Sequence, residues 1–177
     1  MITLRCTQKV LRRLGISGSL PEPGAPTNAL GDWYVNLLHF GRRQLVMATS
    51  ELSLLTVLLP ARELRESLVP NLCDVTYMLL LEIGVDKERA AREAEAMEPA
   101  TIARTASRSV LGSMNDFALA VGWHLQDRLR PMEIMLRLAD TPMSAIREGG
   151  RDYGRPAAVA RQLLGVPDSR PAGSVLH

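Results

Sequence analysis

Three apolar runs separated by short turns constrain the fold of this chain more than any other feature. The runs span residues 33–40, 44–49 and 52–59, and the turns between them are Gly41-Arg42-Arg43 and Ser50-Glu51. Runs rich in β-branched, aromatic and aliphatic residues, joined by short polar or glycine-containing turns, are typical of an antiparallel meander. The chain is therefore expected to contain a sheet in which neighbouring strands of the sequence pair.

Further strands and helices are predicted on both sides of this meander. Residues 2–6 alternate and predict an edge-type strand, and residues 100–105 predict a fourth strand of the same sheet. Apolar residues at helical spacing predict that the remaining elements are helices. They span residues 8–14, 61–67, 71–83, 87–97, 108–128 and 156–164, and the chain after residue 128 is expected to stay helical as far as residue 138. This order predicts the α+β class, with an antiparallel sheet of four or five strands and helices packed on one face.

Local signals define several of these helix ends. Asp86 and Ser107 are favourable N-caps, because their side-chain oxygens can accept a hydrogen bond from a free backbone N–H of the first turn. Gly15 follows the first helix and is expected to stop it. Pro70 is expected to interrupt the helical segment that begins after Pro60.

The composition is that of a folded protein without a membrane span. Hydrophobic residues make up 46% and charged residues 23% of the chain, which is typical of a folded protein. The length of 177 residues is that of one domain, which we predict over residues 1–165. The proline- and glycine-containing end, residues 166–177, is expected to be a disordered tail.

No apolar run approaches the roughly 18 residues of a membrane span, and the amino terminus lacks a secretory signal. We therefore expect a cytoplasmic protein without a membrane partner.

Charge, thiol and imidazole patterns exclude several kinds of site. The 21 basic and 19 acidic residues leave a net charge of +2, which is too small to imply a nucleic-acid partner by itself. Cys6 and Cys73 have no CxxC spacing and are expected to be buried thiols. The three histidines lie in separate segments without metal-ligand spacing. We predict no metal site and no cofactor.

The densest polar cluster, residues 104–116, joins the fourth strand to the longest helix. The N-terminal end of a helix favours an anion, because its first N–H groups are unpaired and its dipole is positive there. One interpretation is therefore a ligand site; the other is that these residues cap the helix and pack it on the sheet. The cluster contains neither a P-loop nor a nucleophile elbow. The candidate ligand-binding residues are Arg104, Ser107, Arg108, Ser113, Asn115 and Asp116.

A second candidate lies in the first hairpin, where Arg42 and Arg43 follow Phe40 at the turn. Two cations beside an aromatic ring can contact a phosphate backbone or a base, as nucleic-acid readers do. A solvated turn is the alternative interpretation of the same residues.

Four short blocks carry a family resemblance. They are residues 5–11, residues 32–37, Arg42-Arg43 and residues 107–116. The last contains the motif Ser-Val-Leu-Gly-Ser-Met-Asn-Asp at 109–116, of which Gly-Ser-Met-Asn-Asp at 112–116 is the most specific part. From Met1 to about Gly165 the chain resembles an uncharacterised bacterial domain family, whose members occur alone or in front of domains like those of the Ri-plasmid ORF-3 proteins. The resemblance implies an association with mobile elements and no established catalytic residues.

Three functions are compatible with these patterns. The leading hypothesis is a non-enzymatic binding or regulatory module that contacts a protein partner or another copy of itself, since no catalytic set is recognisable and leucine- and methionine-rich helices can leave an apolar patch. The second is a nucleic-acid or nucleotide binder that uses Arg42, Arg43 and residues 104–116. The third is a small enzyme acting on an anionic substrate, with Asp116 as base.

Overall fold

Five strands form one mixed sheet at the centre of the structure. The computed structural model describes residues 1–65 and 67–166, and in this part of the chain the strand order is β4-β3-β2-β1-β5. The strands are β1 Ile2–Cys6, β2 Trp33–Phe40, β3 Arg43–Ser50, β4 Thr56–Pro60 and β5 Ala100–Arg104. The predicted α+β class is confirmed.

Six α-helices accompany the sheet within the described residues. They are α1 Gln8–Leu14, α2 Leu68–Glu82, α3 Lys87–Ala96, α4 Arg108–Gln126, α5 Pro131–Ala139 and α6 Pro156–Leu163. A short 3₁₀ helix, Ala61–Leu64, leads from β4 toward α2.

The strand β1 lies inside the sheet, between β2 and β5, and runs parallel to both. The predicted edge position of this strand and the predicted purely antiparallel sheet are therefore wrong. Parallel neighbours need a connection of a dozen or more residues. The chain supplies one through α1 and residues 15–32 before β2. Local periodicity does not reveal which strands such a long connection brings together.

The strands β2, β3 and β4 form the predicted antiparallel meander. Gly41 has a φ of 58° at the first position of the two-residue turn between β2 and β3, which is a conformation that glycine adopts easily. The third strand begins at Thr56 and not at Leu52. Residues 51–53 form a turn instead, where the hydroxyl groups of Ser50 and Ser53 lie 2.8 Å apart.

Both faces of the sheet are covered. Residues 45–50 of β3 are all buried, and successive side chains of a strand point to opposite faces. Phe40, at the end of β2, packs against α4, and its ring lies 3.0 Å from the position that a Cβ atom at Gly122 would occupy. Helices α2 and α5 both contact β4. The chain thus buries both faces of β3, and α2, α4 and α5 all contribute to the cover of the sheet.

The helix ends follow their local signals. Asp86 accepts a 3.0 Å hydrogen bond from the N–H of Arg89, and Gly15 ends α1 with a φ of 73°. Pro70 does not interrupt α2, because it lies in the first turn, where a backbone N–H has no partner within the helix. The predicted caps are thus confirmed and the predicted interruption is wrong.

One cluster of buried apolar side chains runs through the sheet and the helices, and Trp33, Tyr34 and Phe117 are its largest fully buried members. Cys6 and Cys73 are buried and free, as predicted. No helix in residues 1–65 and 67–166 combines the length and the apolar character needed to cross a membrane. The predicted tail lies outside the described residues from position 167 onward.

Candidate functional site

The N-terminal end of α4 is anchored to the sheet by Ser107. The Ser107 hydroxyl oxygen accepts a 3.3 Å hydrogen bond from the N–H of Val110, and the Ser107 N–H donates a 3.0 Å hydrogen bond to the hydroxyl oxygen of Tyr34. Tyr34 is fully buried on β2. The residue predicted as a cap therefore also joins the longest helix to the middle of the sheet.

Arg104 holds the proline-rich loop that follows α1. Its guanidinium donates hydrogen bonds of 3.1 Å to the side-chain oxygen of Gln8 and to the carbonyl oxygen of Gly18. Arg108 is exposed and makes neither an ion pair nor a side-chain hydrogen bond with the described residues. The two arginines thus differ in their surroundings, since only Arg108 has no protein partner in this part of the chain.

The polar block at residues 112–116 divides between two sides of α4. Ser113 is buried, and its hydroxyl donates a 3.2 Å hydrogen bond to the carbonyl oxygen of Ser109. Gly112, Asn115 and Asp116 are exposed. The six candidate ligand-binding residues therefore do not surround one pocket.

The exposed side of α4 carries two large apolar residues. Leu119 is 62% exposed and Trp123 is 64% exposed. With a rotation of about 100° per residue, an α-helix places residues separated by three, four, seven or eight positions on one side. We call this side the outer face of α4; it consists of Arg108, Gly112, Asn115, Asp116, Leu119 and Trp123.

The described residues give Gly112 no packing role. A Cβ atom at this position would meet none of their heavy atoms within 4 Å. Gly122, on the same helix, is different, because a Cβ atom there would crowd the ring of Phe40 at 3.0 Å. The interpretation in which residues 104–116 only cap and pack the helix therefore does not account for Gly112.

The hairpin arginines lie near the other end of α4. Arg42 and Arg43 are both exposed, and the neighbouring Phe40 packs on Gly122. Gly122 is fourteen residues from Arg108, which corresponds to about 20 Å along the helix axis. The two arginine pairs of the nucleic-acid hypothesis are thus far apart on the structure.

Sequence patterns did not reveal a buried charge network beside the N-terminal end of α4. Asp32 is buried and accepts hydrogen bonds from the N–H of Thr3 at 3.0 Å and from Nε of Arg5 at 2.9 Å. The Arg5 guanidinium lies 6.0 Å from the centre of the Tyr34 ring, within the range of a cation–π contact. The sequence did contain one signal for this network: Arg5 and Asp32 lie in two of the short blocks that carry the family resemblance, next to apolar strands.

Burial and hydrogen bonding set the protonation of Tyr34. Burial raises the pKa of the Tyr34 hydroxyl above its ordinary value of 10, and the hydrogen bond from the Ser107 N–H acts in the opposite direction. The phenol therefore keeps its proton at neutral pH. It donates that proton to a carboxylate oxygen of Glu51 at 3.3 Å.

No group of three or more histidine, cysteine, aspartate or glutamate side chains is arranged to hold a metal ion within residues 1–65 and 67–166.

Residues 3–159 match the model of a family described as a domain of unknown function, DUF6933. No curated protein matches the chain.

Proposed function

Since the chain belongs to the DUF6933 family, a domain of unknown function, we propose a function from its own geometry: it is a protein-binding module that docks through the outer face of α4. The observation that carries this proposal is the exposure of Leu119 and Trp123, 62% and 64%, on one side of one helix. Large apolar side chains that lie together on a surface are typical of interaction sites. Tryptophan is also enriched among the residues that dominate binding energies.

Gly112 supports the same conclusion. Glycine in the interior of an exposed helix is less stable than alanine by about 1 kcal/mol. No neighbour among residues 1–65 and 67–166 explains the absence of a side chain here. A partner that approaches the helix closely does explain it, because a glycine lets the two surfaces come together.

The partner that fits this face best is a second copy of the chain. A symmetric dimer uses the same patch twice, so the patch must complement itself about a two-fold axis. An axis midway between Asn115 and Asp116 would place two α4 helices antiparallel along their outer faces. This arrangement requires that residues facing each other across the axis have complementary chemistry.

The outer residues of the face form suitable pairs in this arrangement. Arg108 faces Trp123 of the second copy, which permits a cation–π contact between a guanidinium and an indole ring. Leu119 faces Gly112 of the second copy, where the missing side chain leaves room for it. Both exposed apolar residues are covered in this way.

The two residues next to the axis are complementary as well. Asn115 faces Asp116 of the second copy, and an amide N–H₂ group can donate to a carboxylate. Neither side chain has a partner among the described residues of its own chain. Each of the six residues of the outer face thus finds a partner with matching chemistry.

The other two functions have less support from the geometry. The arginines expected to contact nucleic acid are separated by about 20 Å along α4, and Arg104 is engaged by Gln8 and Gly18. The proposed base, Asp116, lies on an open helix surface and not in a cleft. Catalytic carboxylates usually lie in pockets that exclude water.

A single engineered cysteine tests the predicted axis. In Asp116→Cys the two thiols lie beside the two-fold axis, so mild oxidation should give a disulfide-linked dimer. In Gln126→Cys the exposed thiols lie at opposite ends of the pair and should remain unlinked. The native thiols do not interfere, because burial raises the pKa of Cys6 to about 12 and that of Cys73 to about 11.

Sedimentation equilibrium provides the independent measurement. The wild-type chain should show a concentration-dependent dimer, Trp123→Ala should shift toward monomer, and the control Tyr153→Ala, on an exposed aromatic outside α4, should behave as wild type. A wild-type chain that stays monomeric, or equal linking of both cysteine variants, would remove the second copy as the partner.

The proposal keeps the remaining expectations as parts of one hypothesis. We propose a bacterial, cytoplasmic protein with a single domain over residues 1–165 and an association with mobile elements. A module that joins two copies is suited to stand in front of other domains, such as those like the Ri-plasmid ORF-3 proteins, because it would bring the attached domains together.

A further inference from the structure

A cavity of about 490 Å³ lies between the β3–β4 side of the sheet and the junction of α4 with α5. This volume is within the range of roughly 300 to 1,000 Å³ that is typical of small-molecule sites. Its wall is largely apolar and is formed by β3, β4, α4, α5 and the connection between α4 and α5. The apolar side chains are Leu45, Leu58, Pro60, Leu125, Leu129, Pro131 and Ile134.

The mouth of this cavity is positively charged. Arg43, Arg128 and Arg130 line it, and its lining residues include no aspartate or glutamate. Arg130 forms a 3.4 Å ion pair with Glu133. For Arg43 and Arg128, the described part of the chain provides no ion-pair partner. Two cations are therefore available to an incoming anion.

Arg128 occupies a backbone position that favours glycine. Its φ is 59°, and its N–H donates to the carbonyl oxygen of Leu125 at 3.1 Å, while the N–H of Leu129 donates to that of His124 at 3.1 Å. This pair of hydrogen bonds is the usual end of an α-helix, and the left-handed residue in it is most often glycine. A residue with a Cβ atom is less stable in this conformation. The left-handed residue thus carries its guanidinium at the wall of the cavity, where a strained position is a reason to look for a role of the side chain.

We propose that this cavity binds a small amphipathic anion, a carboxylate or phosphate with an apolar body. The apolar body packs against the leucine and isoleucine side chains, and the anionic head lies between Arg43 and Arg128. Guanidinium groups suit both kinds of head because they donate two parallel hydrogen bonds. The site is independent of the proposed dimer, because none of its residues belongs to the outer face of α4.

Three probes separate the contributions of the head and the body. Octanoate carries both, octanol of similar length carries no charge, and acetate has almost no apolar body. Calorimetric titration of the full chain should show binding of octanoate alone. Octyl phosphate then distinguishes a carboxylate preference from a phosphate preference. Equal binding of octanol and octanoate would overturn the proposal. So would a result in which neither octanoate nor octyl phosphate binds.

Substitutions at the mouth locate the binding site. Arg128→Gly removes the cation and relieves the left-handed backbone, so octanoate binding should weaken about tenfold while the thermal midpoint rises. Arg43→Gln should also weaken binding about tenfold. The control Arg92→Gln, on α3, should leave it unchanged.

Methyl resonances provide a second readout. Octanoate should shift the signals of Ile134, which lines the cavity, and leave those of Ile2 unchanged. Unchanged affinity in Arg128→Gly with a raised thermal midpoint would contradict the proposed role of this arginine, because that variant would be folded.

Discussion

The hydroxyl oxygen of Tyr34, in the middle of the sheet, accepts a 3.0 Å hydrogen bond from the backbone N–H of Ser107, the residue that caps α4. The same hydroxyl donates to Glu51 at 3.3 Å. A buried side chain thus fixes the start of the helix that carries the outer face. The contact acts together with the buried side chains of α4, such as Met114 and Phe117, and gives a partner to an N–H at the start of the helix.

Tyr34→Phe should therefore destabilise the fold while keeping the ring in the core. The variant loses the acceptor for the Ser107 N–H, and a partly buried N–H without a partner costs about 1 to 3 kcal/mol. Urea unfolding monitored by circular dichroism measures the change. Tyr153→Phe, at an exposed position, is the control and should unfold as wild type. Equal midpoints for the two variants would show that the hydrogen bond does not contribute.

Asp32 is expected to be a carboxylate on which the stability of the fold depends strongly. Its side chain is 2% exposed and pairs with Arg5 at 2.9 Å. Asp32→Ala leaves the Arg5 cation and the Thr3 N–H without their acceptor, and breaking a buried pair costs about 3 to 5 kcal/mol. The measurement is the free energy of unfolding in urea.

Asp152→Ala is the matched control for this substitution. Asp152 also forms an ion pair, with Arg147 at 3.3 Å, but its side chain is 96% exposed. Exposed pairs contribute roughly 0 to 1 kcal/mol. A loss of stability in Asp32→Ala no larger than that in Asp152→Ala would contradict the prediction.

The sequence predicted the elements better than their arrangement. Asp86 and Ser107 were identified as caps because capping depends on residues within one helical turn. The position of β1 was missed because its partner β5 begins at Ala100, and only tertiary contacts join such distant segments. An alternating run of five residues is compatible with an edge strand and with an interior one, so the pattern alone does not decide.

The candidate site was predicted in part for the same reason. The block at 107–116 was singled out correctly as the start of the longest helix, and the side on which each residue lies follows from helical geometry. Leu119 and Trp123 fall outside the apolar stripe that helical spacing predicts for this helix, which is Val110, Leu111, Met114, Phe117, Ala118, Val121 and Leu125. Their position off this stripe was the available signal for an exposed patch. The contact of Tyr34 with Ser107 was beyond prediction, because it depends on the register between β2 and α4.

Stability should fall in acid partly through Glu148. Hydrogen bonds from Arg155, one of them 3.2 Å long, hold the pKa of the Glu148 carboxyl below its ordinary value of 4.5. A carboxyl with a lower pKa in the folded state stabilises the fold above its unfolded pKa, and this contribution is lost as the pH falls through the folded pKa. The urea midpoint should therefore decrease below about pH 4.5.

Arg155→Gln tests this contribution: it removes the guanidinium that pairs with Glu148 and, at 3.5 Å, with the exposed Asp140, while the remaining carboxylates titrate in both proteins. The variant should be less stable than wild type at neutral pH and should lose less stability between neutral pH and acid. Arg147→Gln, whose partner Asp152 is exposed, should keep the pH dependence of wild type. Parallel curves of urea midpoint against pH for Arg155→Gln and wild type would contradict the assignment.

The two thiols should be inert in the folded protein. Burial is the main cause that raises the pKa of Cys6 to about 12 and the pKa of Cys73 to about 11. The thiolate is the reactive form, so few molecules react at pH 8. Iodoacetamide followed by mass spectrometry should show both thiols unmodified in buffer and both modified in urea. Rapid labelling of either thiol in the native protein would contradict their burial.

Gly112→Ala separates the stability of the fold from the proposed docking function. A Cβ atom at Gly112 would meet nothing within 4 Å, so alanine should stabilise the monomer by roughly 0.5 to 1 kcal/mol through its better helix propensity. The same methyl group would lie between the two helices of the proposed dimer and should weaken it. Urea unfolding and sedimentation equilibrium measure the two effects on one sample.

The control for that experiment is Gly154→Ala, where the surroundings predict the opposite result for stability. A Cβ atom at Gly154 would lie 2.9 Å from a methyl group of Val159 and 3.0 Å from the backbone carbonyl carbon of Arg147, so the fold must shift to accept it. Gly154→Ala should therefore lose stability, whereas Gly112→Ala gains it. A Gly112→Ala protein that is more stable and dimerises like wild type would show that the glycine is not at the interface. Because such a protein would be folded, this result would bear on the docking face alone.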